Sequence, residues 1–361
     1  MLALFVALAA APAAAREGVG GDLASLNFCL YGDCEARGTY AADPYNLYNP
    51  GTLSVATHMY FPRGVVPSGS YYHVDVGGVD ADLEAGVMTL AWAPVAFQVA
   101  TVYGEAEGPA RGLPGIDLQF RTRAVRLAAG MDAERTLGIR GLNVGLAGVV
   151  PGSTSDTWLR TRGVTIAKGV ETRAVELVPG VHWHGGRRDW FMLGGFLDAT
   201  HNDVESRGID PATGRSFRQA GATNIWIARV GASLLPFVPL GLAEGTSPRA
   251  AWLSDLRLGI DVEYRDIAVP GETTRSGAVA YFGADVPLLP DALNPLARWV
   301  RVLLLGGADT NGGFGIGAGL FGQGPLRFLT CNQAYSDRPL TTVLGPRVRA
   351  LAVTCSVVLA M

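Results

Sequence analysis

Residues 257–265, RLGIDVEYR, decide the fold. Leu258, Ile260, Val262 and Tyr264 alternate with Arg257, Gly259, Asp261, Glu263 and Arg265. A helix would gather residues three and four apart on one face and mix the two sets, whereas a strand separates them. The same period recurs at 116–123, IDLQFRTR, where Ile116, Leu118 and Phe120 oppose Asp117, Gln119, Arg121 and Arg123. It recurs at 175–184, VELVPGVHWH, which sets Val175, Leu177, Pro179, Val181 and Trp183 against Glu176, His182 and His184. Three segments so far apart with one periodicity predict an all-β chain.

Alternation alone suits a soluble sheet as well as a membrane barrel. Composition separates the two. Of 361 residues, 48% are hydrophobic and 17% charged, with a mean hydropathy of +0.23; a typical soluble domain carries roughly 25% charge. Such a mix excludes a disordered chain. A net charge of −3 with scattered basic residues excludes a nucleic-acid partner. The first 15 residues, MLALFVALAAAPAAA, read as the apolar core and small-residue cleavage region of a secretory signal. The apolar stretch 87–104, VMTLAWAPVAFQVATVYG, is broken by Pro94 and rich in strand formers. It predicts two strands meeting at Ala93-Pro94, not a membrane helix. Strand runs of about 10–15 residues fit tilted membrane strands, which need about 9–11. Trp92, Tyr103, Trp158, Trp190, Tyr264 and Trp299 near their ends suit interfacial girdles.

The expected architecture is a transmembrane antiparallel β-barrel of about 14 strands in the bacterial outer membrane, with the lipid bilayer as its first partner. Residues 1–15 would be the signal, 16–52 a plug segment and 53–361 the barrel. Residues 158–180 read as a single strand. Polar segments 105–115, 151–157, 201–218, 268–274 and 332–346 are expected as loops at one rim. Turns at Pro94, Pro236 to Pro239 and Pro287 to Pro295 fall at the other. Residues 16–52 are too polar and irregular to span a membrane. A barrel this wide is not filled by its own side chains, so the segment is expected inside it. Cys29 and Cys34 enclose LYGD and are expected to form a disulfide in an oxidising compartment. For Cys331 and Cys355 pairing stays open, since Cys355 reads equally well as a small apolar residue.

The element DPYNLYNPG at 43–51, leading into the barrel, resembles the FadL-type outer-membrane transporters of long-chain fatty acids and aromatic hydrocarbons. The hairpin at 88–104 is similar to that family's early hairpin. Asn49-Pro50-Gly51 stands where the family usually shows Asn-Pro-Ala, and the resemblance makes these three the plug motif. It implies a plugged barrel that passes a hydrophobic small molecule, fatty-acid-like or aromatic.

Charges on a lipid face cost roughly 2–4 kcal/mol at mid-membrane, so the polar strand faces are assigned to the lumen. Arg121, Arg123, Asp261, Glu263 and Arg265, with Tyr45 and Tyr48 of the plug, are the candidate substrate-binding residues. The arginines suit a carboxylate headgroup, although a purely structural ion network accounts for them too. GAGLFG at 317–322 matches a dinucleotide fingerprint only in spelling, because its glycines continue a strand face instead of opening a helix. His182 and His184 lack a third ligand at a defined spacing, so no metal is expected. No nucleophile elbow or catalytic triad can be placed, so neither catalysis nor a cofactor is expected. Three readings follow: a plugged transporter, a general diffusion porin, or a structural barrel. A porin needs a long loop folded into the lumen, and 201–218 is the one candidate.

Overall fold

The computed structural model describes residues 49–54, 63–76, 79–109, 115–186, 190–209, 214–243, 250, 253, 254, 256–268, 274–287, 300–310, 314–322, 329–337 and 349–358. Among them fifteen strands make one antiparallel sheet. These are β1 (Arg63–Val76), β2 (Val79–Trp92), β3 (Val95–Pro109), β4 (Asp117–Asp132), β5 (Leu142–Val149), β6 (Thr154–Thr161), β7 (Val164–Gly185) and β8 (Phe191–Ile209). They continue as β9 (Ser216–Leu234), β10 (Arg257–Ala268), β11 (Arg275–Pro287), β12 (Val300–Asp309), β13 (Phe314–Gly322), β14 (Leu329–Asp337) and β15 (Arg349–Val358). Sequence neighbours pair, except β5 and β6, and β1 also pairs with β15, so the sheet closes into a barrel.

Two strands share one place in the wall. β4 pairs with β6 through Asp117–Arg123 and with β5 through Arg126–Asp132. β7 pairs with the same two strands from the other side. Fifteen strands with two end to end therefore fill fourteen positions. An even number brings the start of β1 and the end of β15 to the same rim, called lower here.

Among the described residues the outer face is apolar over a belt. Met88, Phe97, Val99, Leu127, Leu146, Val181, Leu193, Val230, Ile260, Val262, Phe282 and Leu304 are all exposed. Their neighbours in sequence, such as Gln98, Ala128, His182 and Asp261, are buried on the inner face. Trp92 and Trp183 mark the lower edge of this belt, and Tyr103, Trp226 and Tyr264 its upper edge. An apolar band between aromatic girdles is the surface a bilayer requires.

The wall is taller than the belt. β7 has 22 residues and β8 and β9 have 19 each, against the roughly 9–11 that span a bilayer. Near the upper rim the outward side chains are charged and paired: Arg121 with Glu105 at 2.8 Å, Lys168 with Asp156 at 3.0 Å and Arg218 with Glu205 at 3.0 Å.

This extension corrects several expectations. Residues 201–218 are not a long loop, because β8 runs to Ile209 and β9 starts at Ser216. The porin-type loop candidate is therefore gone. Residues 158–180 are not one strand: Arg162 and Gly163, with φ of 49° and 79°, turn β6 into β7. Residues 151–157 are not a rim loop either, since residues 150–153 interrupt the wall between β5 and β6. Residues 53 and 54 belong to a helical turn and not to a strand, and the first described strand begins at Arg63. The proposed signal, Cys29, Cys34, Tyr45 and Tyr48 lie outside the described residues.

The belt generates a test. Ile260→Arg puts a charge on the lipid face and should cost about 2–4 kcal/mol. Arg121→Ala, on the extension above the belt, should change stability by less than about 1 kcal/mol. Urea unfolding of the two variants in lipid vesicles checks the difference.

Candidate functional site

Residues 50–54 form a short helix, α1, inside the barrel. A single turn is marginal in isolation, so its order comes from its end group and from the wall. Asn49 caps it. The Oδ1 atom accepts from the Gly51 N–H at 2.9 Å, and the Asn49 carbonyl accepts from the Thr52 N–H at 3.0 Å and from its hydroxyl at 2.8 Å. Pro50 takes the first helical position, where its missing N–H costs nothing. Asn49 Nδ2 then donates to the Val181 carbonyl of β7 at 3.0 Å, and Ser54 Oγ to the Pro94 carbonyl at 3.2 Å. Asn49, Thr52, Leu53 and Ser54 are completely buried.

The wall beneath α1 is hollowed by glycine. Gly130 of β4 pairs with Gly145 of β5, and Gly145 pairs with Gly180 of β7. A β-carbon on Gly145 would fall within the Pro50 carbonyl group, and one on Gly180 would lie 2.6 Å from Pro50 Cδ. At Gly130 it would lie 3.0 Å from the Pro50 oxygen. The fit is mutual, because a β-carbon on Gly51 would lie 2.6 Å from the Val181 main chain. That contact accounts for the glycine at position 51. Leu53 completes the docking by packing among Ala96, Ala128, Ala147, Val178 and Phe196.

The same rung of paired residues continues past the helix. Gly180 pairs with Phe196 of β8, Phe196 with Arg229 of β9, and Arg229 with Glu263 of β10. Arg229 is fully buried; its Nε lies 2.6 Å from Asp261 Oδ2 and its Nη1 3.7 Å from Glu263 Oε2. Its guanidinium also lies over the Tyr281 ring of β11, 4.8 Å from the centroid. Asp261, Glu263 and Tyr281 are buried as well. Higher on β7 and β8 Arg173 pairs with Glu176, Asn202 with Glu171, and Thr200 with Asp198 at 2.7 Å.

Of the residues expected to bind substrate, Asp261 and Glu263 face the lumen and share Arg229. Arg265 lies two positions further along β10. Arg121 and Arg123 do not join them. Both are exposed on the outer wall, Arg121 beside Glu105 and Arg123 with its guanidinium 5.8 Å from the Tyr103 ring centroid. Leu118 and Phe120 point inward in their place and are buried. The reason is the height of the wall: above the bilayer both faces are free of hydrocarbon, so charge no longer marks the lumen. Sequence reasoning missed Arg229, although a lone charge within IWIARVGASL at 225–234 must find a buried partner. The glycine hollow leaves no such trace, because its members come together only through strand register.

A closed antiparallel barrel with an apolar belt, aromatic girdles and a polar, occupied interior is a bacterial outer-membrane β-barrel. No family model matches the chain, and no curated protein does. Among solved structures it is similar to a FadL homologue of Pseudomonas aeruginosa, at 10% identity over 94% of this chain and 97% of that one, with a TM-score of 0.48. It is similar to the toluene transporter TodX of Pseudomonas putida, at 10% identity over 91% and 95%, with a TM-score of 0.45. The translocator domain of the autotransporter NalP from Neisseria meningitidis matches at 12% identity over 90% and 99%, with a TM-score of 0.39.

Two outcomes test this geometry. Gly145→Val should expel α1 while the strands still close, so a cysteine placed at Ser54 should become reactive to a water-soluble maleimide that it resists in the parent. Arg229→Met should destabilise the barrel by about 3–5 kcal/mol, because it leaves two buried carboxylates facing one another. Adding Asp261→Leu and Glu263→Leu should recover most of that loss in the same urea titration.

Proposed function

We propose that the protein is a plugged transporter, with residues 16–54 as the plug, that carries hydrophobic small molecules across the outer membrane. The observation that carries this reading is α1 seated in the glycine hollow. A general diffusion pore has no use for a helix fixed across its lumen, and a structural barrel has no use for a wall carved to receive one. Above the helix the inner wall presents Val102, Leu118, Phe120, Leu159 and Val204, which suits an apolar passenger.

The charges refine the substrate class. With Arg121 and Arg123 on the outer wall, two of the three arginines first considered for a carboxylate headgroup face away from the route. Arg229 and Arg173 already hold carboxylates. This favours a neutral passenger, such as an aromatic hydrocarbon, over an ionised fatty acid.

The test pairs conductance with uptake. Wild-type protein in planar bilayers should show little steady current, and cells expressing it should accumulate a radiolabelled monoaromatic hydrocarbon faster than oleate. Deleting residues 16–54 should leave a folded barrel with a large, stable conductance and no preference for the hydrocarbon. A wild-type channel that already conducts steadily, or a deletion that changes neither readout, overturns the proposal.

A further inference from the structure

Two cysteines lie on the last two strands of the barrel. Cys331 is on β14 and Cys355 on β15, with the segment 338–348 between the two strands. The β14–β15 ladder pairs them directly, between Thr330↔Ser356 on one side and Asn332↔Thr354 on the other. Directly opposed residues in an antiparallel ladder have Cα atoms about 4.5 or 5.5 Å apart, according to the hydrogen-bonding pattern. Both values fall within the roughly 4.4–6.8 Å that a disulfide spans. A slip of one residue in register would carry the pair to opposite faces of the sheet.

Compartment adds the second half of the argument. A chain whose strands carry a lipid-facing belt in the outer membrane reaches its site through an oxidising space, where opposed thiols do not stay reduced. We propose that Cys331 and Cys355 form a cross-strand disulfide that fixes the closing strand to its predecessor. In the reaction one thiolate attacks the disulfide of a thiol–disulfide oxidoreductase, giving a mixed disulfide, and the second thiolate displaces the oxidoreductase sulfur. Two cysteine thiols are oxidised to one S–S bond, and the oxidant's disulfide leaves as a dithiol holding both electrons and both protons. The bond closes the loop 331–355 and restricts the unfolded chain. β15 must pair with β1 on its other edge to close the barrel, so fixing its register against β14 presets the last joint of the ring.

The Cys29→Ser/Cys34→Ser variant isolates the pair. Purified from outer membranes without reductant, then denatured, it should resist a maleimide-coupled polymer and take up two equivalents only after reduction. Peptide mapping should recover Cys331 and Cys355 in one linked species. Two additions without reduction overturn the proposal, as does a link from either cysteine to a second copy of the chain. If that variant fails to accumulate, mapping of the unreduced wild-type protein decides: a 331–355 link supports the proposal, and alkylated Cys331 and Cys355 or a link to Cys29 or Cys34 overturns it. Reductant should also lower the temperature at which the wild-type barrel unfolds on a heat-modifiability gel, and should not move that of Cys331→Ser/Cys355→Ser.

Discussion

Hydrocarbon offers no partner for a peptide N–H or C=O, so a sheet placed in a bilayer has to pair every edge with itself. That demand organises this chain. It forces β1 onto β15, and it governs how the wall tolerates the interruption at residues 150–153. The Val150 N–H donates to the Val125 carbonyl, the Gly152 N–H to the Arg173 carbonyl and the Arg173 N–H to the Ser153 carbonyl, each at 2.8 Å. The Val125 N–H, left without a strand partner, donates to Ser153 Oγ at 3.3 Å. β7 answers with an irregularity between Arg173 and Val175. The ladder is bent and stitched at this point, and it is not opened.

Closure creates an interior, and the interior has two contrasting sides on one rung. From Gly130 through Gly145 to Gly180 the wall withdraws its side chains and admits a peptide segment. From Arg229 to Glu263 it projects them and satisfies them with one another. Phe196 sits between, touching the apolar cluster around Leu53 on one side and paired with Arg229 on the other. The helix is therefore held by shape and by side-chain hydrogen bonds to wall carbonyls, while the other half of the rung is held by charge.

How much of this was legible in the sequence follows from the same physics. Alternation at 257–265 and 175–184 gave the correct strands and the correct faces, because those residues lie at bilayer level, where one side must be apolar. The identical pattern at 116–123 gave the right strand and the wrong faces, because it lies above the belt, where water reaches the outer wall. The length of β8 and β9 was underread for a related reason: HNDVESRG at 201–208 looks like a polar loop until it is known to stand outside the membrane. Asn49-Pro50-Gly51 stood out only as the plug motif that the resemblance implies. Its seat was not legible, since Gly130, Gly145 and Gly180 are brought together by register alone.

The extension above the belt also sets how far the wall stands clear of the bilayer. Beyond Leu197, β8 continues for a dozen residues to Ile209, which at a tilt near 45° adds on the order of 30 Å of height. On the proposed transport reading, a hydrophobic molecule arriving at the upper rim would enter the wall's shelter well before it draws level with the lipid. Over that distance the outer face of the wall carries ion pairs, those of Arg121, Lys168 and Arg218, where the belt below it carries apolar side chains.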